Sequence, residues 1–258
     1  MPPGDPDANK NKSLRPATKI PAGEKAYSHL RRPSVTRASE TMQAQHLCTR
    51  IESPTLPLAL RTIEPRDAPR HSAILTADMR SSDPWAGGVS VSRSEELIAG
   101  QRESAAVPTV LGPDGEVVGG PGRVNMVLVL TSEGDRVIGL GGFGAIKDWE
   151  RRGGRVRAGD AGVVVDEAYR GNGYAAEAMR LAVDWAFTPV AAGGPQLDLV
   201  TVTTAATNTP MLALAEDKLG LRGKGVLRHH ESGHAAGEMY YELTAAEWNH
   251  IQKNKMTL

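Results

Sequence analysis

The stretch "RGNGYAAEAM", Arg170 to Met179, places two glycines within four positions, behind the apolar run "AGVVV" and ahead of a helical pattern. A chain written this way must leave a buried strand and enter a helix through a loop of nearly bare backbone. The helix is legible from spacing: Ala175, Ala178, Met179, Ala182, Val183 and Ala186 share one face, while Glu177, Arg180 and Asp184 share the opposite one. Gly171 and Gly173 permit a sharp turn and bring backbone N–H groups close to a ligand. The unpaired amides of the following helix add the positive end of its dipole. Such a place suits phosphate; a tight strand-to-helix turn that binds nothing is the other reading of the same four residues. A nucleoside triphosphate loop needs Lys followed by Ser or Thr, and this chain has Tyr174 and Ala175 there. The phosphate group is therefore expected to be held and not transferred, by backbone with help from Arg170.

"GLGGFG", Gly139 to Gly144, formally meets a dinucleotide-binding pattern after a strand. That pattern must open a long helix, and the following "AIKDWERRGG" meets charges and a glycine pair instead. These glycines are read as a strand packed closely on a neighbour. "VNMVLVL" and "RVIGLGGF", joined by "TSEGD", predict a β-hairpin, and "AGVVV" a third strand. Upstream, "LPLALRTIEP" gives a weak strand. Asp67 is expected to cap a helix through Ala68, His71, Leu75 and Met79. Ser92 and Glu95 have the spacing of a capping box for a second helix. "GPDGEVVGGPG" reads as an exposed loop. "LDLVTVTT" predicts a strand, and Asn208, Thr209 and Pro210 open a helix that stops at Gly220. Strands near "GKGVLRHH" and "EMYYEL" complete the chain.

The zero formal net charge argues against nucleic acid or an anionic membrane as partner. No apolar run approaches the roughly 20 residues of a membrane span. Cys48 is the only cysteine, which excludes an internal disulfide and a multi-cysteine zinc site. The expected compartment is reducing: cytoplasm, with nucleus and mitochondrion as alternatives. Residues 1–55 carry nine Lys/Arg against five Asp/Glu, with many Pro, Ser, Ala and Asn and no apolar period. They are expected to form a disordered tail. "SHLRRPSVTRASETM" resembles an import segment, but Asp5, Asp7, Glu24 and the prolines spoil the pattern. One domain is expected over 56–250, with a short tail at 251–258.

"VVVDEAYRGNGYAAEAM" resembles the acyl-CoA-binding motif of the GNAT superfamily of N-acetyltransferases, with Arg170, Gly173 and Ala175 at its defining positions. "TTAATNTPMLALAEDKLGL" is similar to the next motif of that family, with Asn208 ahead of the helix. "GYAAEAM" and "YYEL" look most like the RimJ/RimL type, the ribosomal-protein alanine N-acetyltransferases. The resemblance covers roughly Leu58 to Leu243. It implies an α/β GNAT (acyl-CoA N-acyltransferase) fold, with a mixed, mostly antiparallel central sheet flanked by helices.

The resemblance also implies a chemistry. Acetyl-CoA would set its pyrophosphate on the amides of Gly171, Asn172, Gly173, Tyr174, Ala175 and Ala176, beside Arg170. Its pantetheine arm would lie along Val163, Val164 and Val165, with Asn208 bonded to it. The acceptor would be a primary amine, on a protein N-terminus or a small molecule, attacking directly in a ternary complex. No metal is implied, and the assembly would be a monomer or homodimer. At pH 7 about a tenth of an α-amine but only roughly one lysine amine in 2,500 is neutral, so a lysine acceptor needs a base more urgently. Asp160 stands near where some members carry one; a solvated strand-end carboxylate is its other reading. The family tyrosine that protonates the leaving thiolate is replaced by Glu216, and the RimJ/RimL-type serine by Met211. A non-catalytic acyl-CoA-binding protein is therefore the alternative function.

Other residues carry a plainer and a functional reading side by side. Cys48 is read as a bystander thiol. Arg151, Arg152, Arg155 and Arg157 form either a solvated insertion or a basic loop facing an acidic substrate. His229, His230 and His234 lack the partners that a metal site needs. Trp85 and Tyr240 line an acceptor pocket or pack in core and hairpin.

Overall fold

The computed structural model describes residues 42–229 and 237–256. The hairpin strands β6 (Val124–Leu130) and β7 (Arg136–Arg151) and the next strand β8 (Gly154–Val165) are the centre of an eight-stranded sheet. β2 (Arg50–Glu52) and β3 (Leu58–Thr62) flank β6. On the other side follow β9 (Leu199–Ala205), β11 (Glu238–Thr244) and β10 (Val226–Arg228). Every pairing in this sheet is antiparallel except that of β8 with β9. The sheet is mixed and mostly antiparallel with helices on both faces, as the sequence implied.

Helix α3 (Tyr174–Ala186) covers one face. Its Ala178, Met179, Leu181, Ala182, Val183 and Trp185 join Leu60, Leu128, Ile138 and Phe143 in the larger core. Burying each of the Leu, Ile, Val, Met and Phe side chains among them is worth roughly 1.5–3 kcal/mol against leaving it in water. α4 (Thr209–Ala213), continued by a π-turn over Leu214–Lys218, and α5 (Ala245–Met256) lie on this side, with Leu214, Leu219 and Trp248 in the same core. α1 (Ala68–Ser82) and α2 (Val91–Ala105) cover the other face, where Ile74 and Ile98 meet Val127 and Val129. Among the described residues no helix is long and apolar enough to cross a membrane.

Several sequence expectations need correction. Order begins well before residue 56: β1 (Gln43–Ala44) pairs with β4 (Thr109–Leu111), and β2 pairs with β3. The reason is long-range. His46 is fully buried, its Nε2 lies 2.7 Å from Thr109 Oγ1, and its ring meets Trp185 edge-on at 5.4 Å. Of the expected tail, residues 42–55 are thus ordered, and residues 1–41 lie outside the described residues. At the other end α5 runs through residue 256, past the expected boundary at 250. "GPDGEVVGGPG" is no simple loop: β5 (Val117–Gly119) pairs with β4 and makes a three-stranded sheet with β1. α2 starts two residues early, because Ser90 is its cap and accepts the Arg93 amide at 3.1 Å. In α1 Met79 is exposed, and Ser72 and Ile74 take the buried face with Ala68 and His71. Glu177, placed by periodicity on the solvent face of α3, is buried against Arg180 at 2.6 Å and Ser53.

His46 makes acid stability testable. Burial, with Arg157 nearby, lowers its pKa from 6.5 to about 4. The folded state then binds fewer protons than the unfolded chain between those values, so stability is full above pH 6.5 and falls as pH drops toward 4. The expected loss is about 3 kcal/mol at 1.36 kcal/mol per pKa unit. Chemical denaturation of the native chain and of His46→Gln between pH 7 and pH 4 checks this. The variant should lose most of the slope, keeping the part contributed by His71, whose pKa burial also lowers.

Candidate active site

Strands β8 and β9 run parallel and in register only at Ala158–Leu199, Gly159–Val200 and Asp160–Thr201. Beyond those pairs β8 continues to Val165 and β9 to Ala205 without bonding each other, so the sheet opens into a V whose apex is Asp160. On the β7 side Gly144 is an extra residue between Phe143–Ala161 and Ala145–Asp160. Such a bulge raises local twist, at the level where the strands part. The Asp166 amide bonds to the Ile138 carbonyl at 2.9 Å. With period two along a strand, the backbone groups of Val163 and Val165 then face into the V and those of Val164 face β7. One is already engaged: Arg170 Nε donates to the Val165 carbonyl at 2.9 Å.

Because β8 and β9 are parallel, the segments that follow them leave the sheet at one edge. After β8 comes the glycine loop. Gly171 and Gly173 hold φ of 81° and 79°, the left-handed region open to glycine, and a Cβ on either would meet nothing within 4 Å. Asn172 Nδ2 bonds back to the Tyr169 carbonyl at 3.1 Å, which tightens the loop. Gly173 is the N-cap of α3 and gives it no side-chain bond, and the first amide taken by the protein here is that of Glu177, by the Gly173 carbonyl at 3.1 Å. The preceding amides, through Tyr174, Ala175 and Ala176, are the unpaired donors of a helix start and fit an anion such as a pyrophosphate. After β9, Asn208 caps α4 through Oδ1 to the Met211 amide at 3.3 Å. Among the described residues its Nδ2 has no protein acceptor.

Asp160 is not a strand-end carboxylate. It sits inside β8, half-buried, and its Oδ1 accepts from Thr201 Oγ1 at 2.8 Å and Thr203 Oγ1 at 3.0 Å across the apex. Burial raises its pKa, against the pull of those two hydroxyls. Its side chain leaves the sheet on the same face as Gly162 and Val164, by strand alternation. That face carries a cleft of about 270 Å³ between α1, α2 and the centre of the sheet, lined by Leu75, Leu97, Met126, Leu140, Gly144 and Gly162 among others. Gly142, at φ 88°, forms part of its floor, where a Cβ would lie 2.5 Å from the Val124 carbonyl oxygen. The reading of Gly139 to Gly144 as a closely packed strand holds there and at Gly139, whose Cβ would lie 2.6 Å from the Val164 carbonyl oxygen.

Three polar residues of this cleft were missed as site residues: His71, Gln101 and Asn125. They come from α1, α2 and β6, and no local pattern joins them. Conversely, the arginines at 151, 155 and 157 do not make a free loop. They extend the β7–β8 hairpin, with Arg151 on Glu242, Arg155 on Asp148 at 2.8 Å, and Arg157 buried on Asp148 at 3.1 Å and the Pro121 carbonyl at 2.7 Å. Trp85 is 95% exposed and packs in neither core nor pocket. Tyr240 is buried under Arg228, whose guanidinium carbon stands 3.2 Å from the ring centre. Cys48 is exposed, in an ordered segment. His230 and His234 lie outside the described residues. Glu216, at the expected tyrosine position, accepts from Tyr241 Oη at 3.0 Å.

A model of the acetyltransferase (GNAT) domain matches residues 58–222, from β3 to just beyond the π-turn. The chain belongs to the GNAT acetyltransferase family. Members of that family use acetyl-CoA as acetyl donor, and a CoA-bound structure is among those similar to this GNAT domain. That structure, Mycobacterium smegmatis RimJ in complex with CoA-disulfide, is 21% identical with a TM-score of 0.54, covering 81% of this chain and 94% of the other. The ribosomal-protein-S5-alanine acetyltransferase of Vibrio fischeri is 16% identical with a TM-score of 0.51, covering 78% and 98%. A third, FdhC, described as a nucleotide-linked sugar GNAT, is 13% identical with a TM-score of 0.52, covering 77% and 93%. These likenesses share the fold across differently described proteins, so the fold does not choose the acceptor. No curated protein matches the chain.

Proposed function

We propose that this GNAT domain transfers an acetyl group from acetyl-CoA to a primary amine, by direct attack within a ternary complex. The observation that carries the reading is Asp160 at the apex of the V, held by Thr201 and Thr203. The donor fits the opposite side of the apex. Backbone amides from Gly171 to Ala176 receive the pyrophosphate, the groups of Val163 face the pantetheine arm, and Asn208 Nδ2 supplies a donor at the same edge. Val164 stays in the sheet, and Arg170 braces the loop on Val165 in addition to adding positive charge. Acetyl-CoA, when bound, supplies an activated thioester carbonyl.

In the transfer the amine nitrogen would bond to the thioester carbon as the C–S bond breaks, CoA would leave as its thiolate and take a proton from solvent, and the amine must lose a proton to form the amide. The Asp160 carboxylate takes it, because it is the carboxylate at the apex of the V and its raised pKa makes it a better base than a solvated carboxylate. Cys48, outside both V and cleft, has no part in the transfer.

A second reading, an acyl-CoA-binding protein without turnover, is favoured by Glu216, which replaces the family tyrosine and is engaged by Tyr241. One assay separates the two. CoA-thiol release is followed over a panel of N-terminal peptides and small amines, beside titration calorimetry with acetyl-CoA. Amine-dependent thiol release is the expected result. Binding without release for every amine establishes the second reading, and no binding overturns both.

A further inference from the structure

The glycine loop is entered through Asp166, the residue after β8, and that residue is held on every side. Its amide bonds to the Ile138 carbonyl at 2.9 Å, and its own carbonyl accepts the Tyr169 amide at 2.9 Å. As cap of the 3-10 turn Glu167–Tyr169, it accepts the Ala168 amide through Oδ1 at 3.1 Å. Its other carboxylate oxygen is held from a different element: Arg70 Nη2, on α1, reaches Oδ2 at 2.6 Å. The same guanidinium donates from Nε to the Val137 carbonyl on β7 at 3.1 Å. One planar fork thus ties α1 to β7 and to the entry of the loop. Burial pushes the Asp166 pKa up, but the bonds from Arg70 and the Ala168 amide outweigh it and hold the carboxyl below its ordinary value. The pair is ionic at neutral pH.

Beyond Asp166 the path to the glycines is short and closed by its own bonds. Arg170 Nε returns to the Val165 carbonyl at 2.9 Å, and Asn172 Nδ2 to the Tyr169 carbonyl at 3.1 Å. Gly171 and Gly173 themselves have open space where a Cβ would stand, so packing does not fix them. Where their amides point is therefore set upstream, at Asp166. On α1 the residue next to Arg70 is His71, which is buried, lines the cleft beneath α1 and α2, and has Nδ1 3.0 Å from Ser94 Oγ. Consecutive residues of one helical turn hold the loop and wall the cleft.

We propose that Arg70 is a positioning residue for the acetyl donor: clasped to Asp166, it fixes the entry of the glycine loop and couples donor binding to the wall of the cleft through α1. The assignment rests on the reading of that loop as the pyrophosphate cradle. Amides that already converge cost the ligand no ordering, whereas a loop released at Asp166 has to be ordered on binding. Bare charge gives a different expectation. CoA is anionic, so by Coulomb attraction alone the loss of Arg70 weakens it and the loss of the Asp166 charge strengthens it. The clasp requires weakening from both.

The test is a double-mutant cycle on the full chain, with acetyl-CoA affinity read by titration calorimetry. Arg70→Met and Asp166→Asn should each weaken binding about tenfold, the scale of one charged hydrogen bond; the asparagine keeps an oxygen for the Ala168 amide. The double variant should bind within about twofold of the weaker single, because both remove the same pair. Arg70→Lys keeps the charge but cannot span Asp166 and the Val137 carbonyl with one fork, so it should fall between the native chain and Arg70→Met. The neighbouring Arg66, exposed and paired with Glu64 at 2.6 Å, gives the control, and Arg66→Met should bind within about twofold of native. Hydrogen exchange is the second readout. Acetyl-CoA should slow exchange in residues 168–176 and in the first turns of α1 of the native chain, but in 168–176 alone in Arg70→Met. Native or tighter binding by Asp166→Asn, losses that multiply in the double variant, native affinity in Arg70→Lys, or an α1 indifferent to the donor in the native chain overturns the assignment. Absence of acetyl-CoA binding by the native chain removes the cradle and this role with it; binding that ignores the clasp removes the role alone. Should Asp166→Asn fold poorly, Arg70→Lys and the exchange pattern decide.

Discussion

Gly173→Trp is expected to weaken acetyl-CoA binding by at least about 100-fold. Two effects act together. Gly173 holds φ of 79°, which an L-residue reaches only at roughly 1–2 kcal/mol, so the variant tends to move the loop off its present path. The side chain also begins in open space in front of the α3 amides, since nothing lies within 4 Å of a Cβ there. A bulky ring then stands where the phosphate oxygens are to be received. Losing two bonds to a charged acceptor, at about 1.5–3 kcal/mol each, already exceeds a hundredfold in affinity. Titration calorimetry measures the effect, and thermal melting shows whether the fold survives with a drop of only a few degrees. Gly153→Ala, in the β7–β8 turn far along the sheet, serves as control, because a Cβ there meets nothing and its φ is not left-handed. Binding by the Trp variant within threefold of the native chain would sink the phosphate cradle.

The glycine loop was legible because its signals are local. Strand, two glycines and an amphipathic helix stand side by side in sequence, and the same holds for the β6–β7 hairpin, β9 and the Asn208 cap of α4. What escaped reading depends on partners far along the chain. His46 is core only because Thr109 and Trp185 close around it, and nothing in "MQAQHLCTR" announces either. The arginines at 151, 155 and 157 look like a solvated cluster until Glu242, Asp148 and the Pro121 carbonyl meet them. Glu177 obeys helical periodicity in spacing but not in burial, since the β2–β3 connection covers it with Ser53 and Thr55. The cleft beneath α1 and α2 is the extreme case. Its polar residues lie on α1, α2 and β6, its floor on β7 and β8, and only the assembled sheet makes them neighbours.

Asp160→Asn is expected to lower kcat by about 100-fold or more, the usual worth of a general base, while acetyl-CoA affinity stays unchanged. The asparagine oxygen can still accept from Thr201 and Thr203, so the apex keeps its bonds. To act as the proposed base the native carboxylate must be ionised. Because burial raises its pKa, the acid limb of kcat/KM should lie above the ordinary aspartate value near 4, and the variant should lack that limb. Stability should move the opposite way. A carboxyl whose folded pKa is raised binds its proton more tightly in the folded state, so the native chain loses stability as pH rises through the unfolded and then the folded value. Removing the charge removes that loss, and Asp160→Asn should be at least as stable as the native chain at pH 7, with the advantage fading toward pH 4. A residue kept for structure would show the reverse, a variant less stable and still active. Denaturation curves at the two pH values and a pH–rate profile decide between these patterns. A variant with kcat within a few-fold of native would remove Asp160 from the chemistry and leave His71, the titratable side chain that lines the cleft, as the group to test.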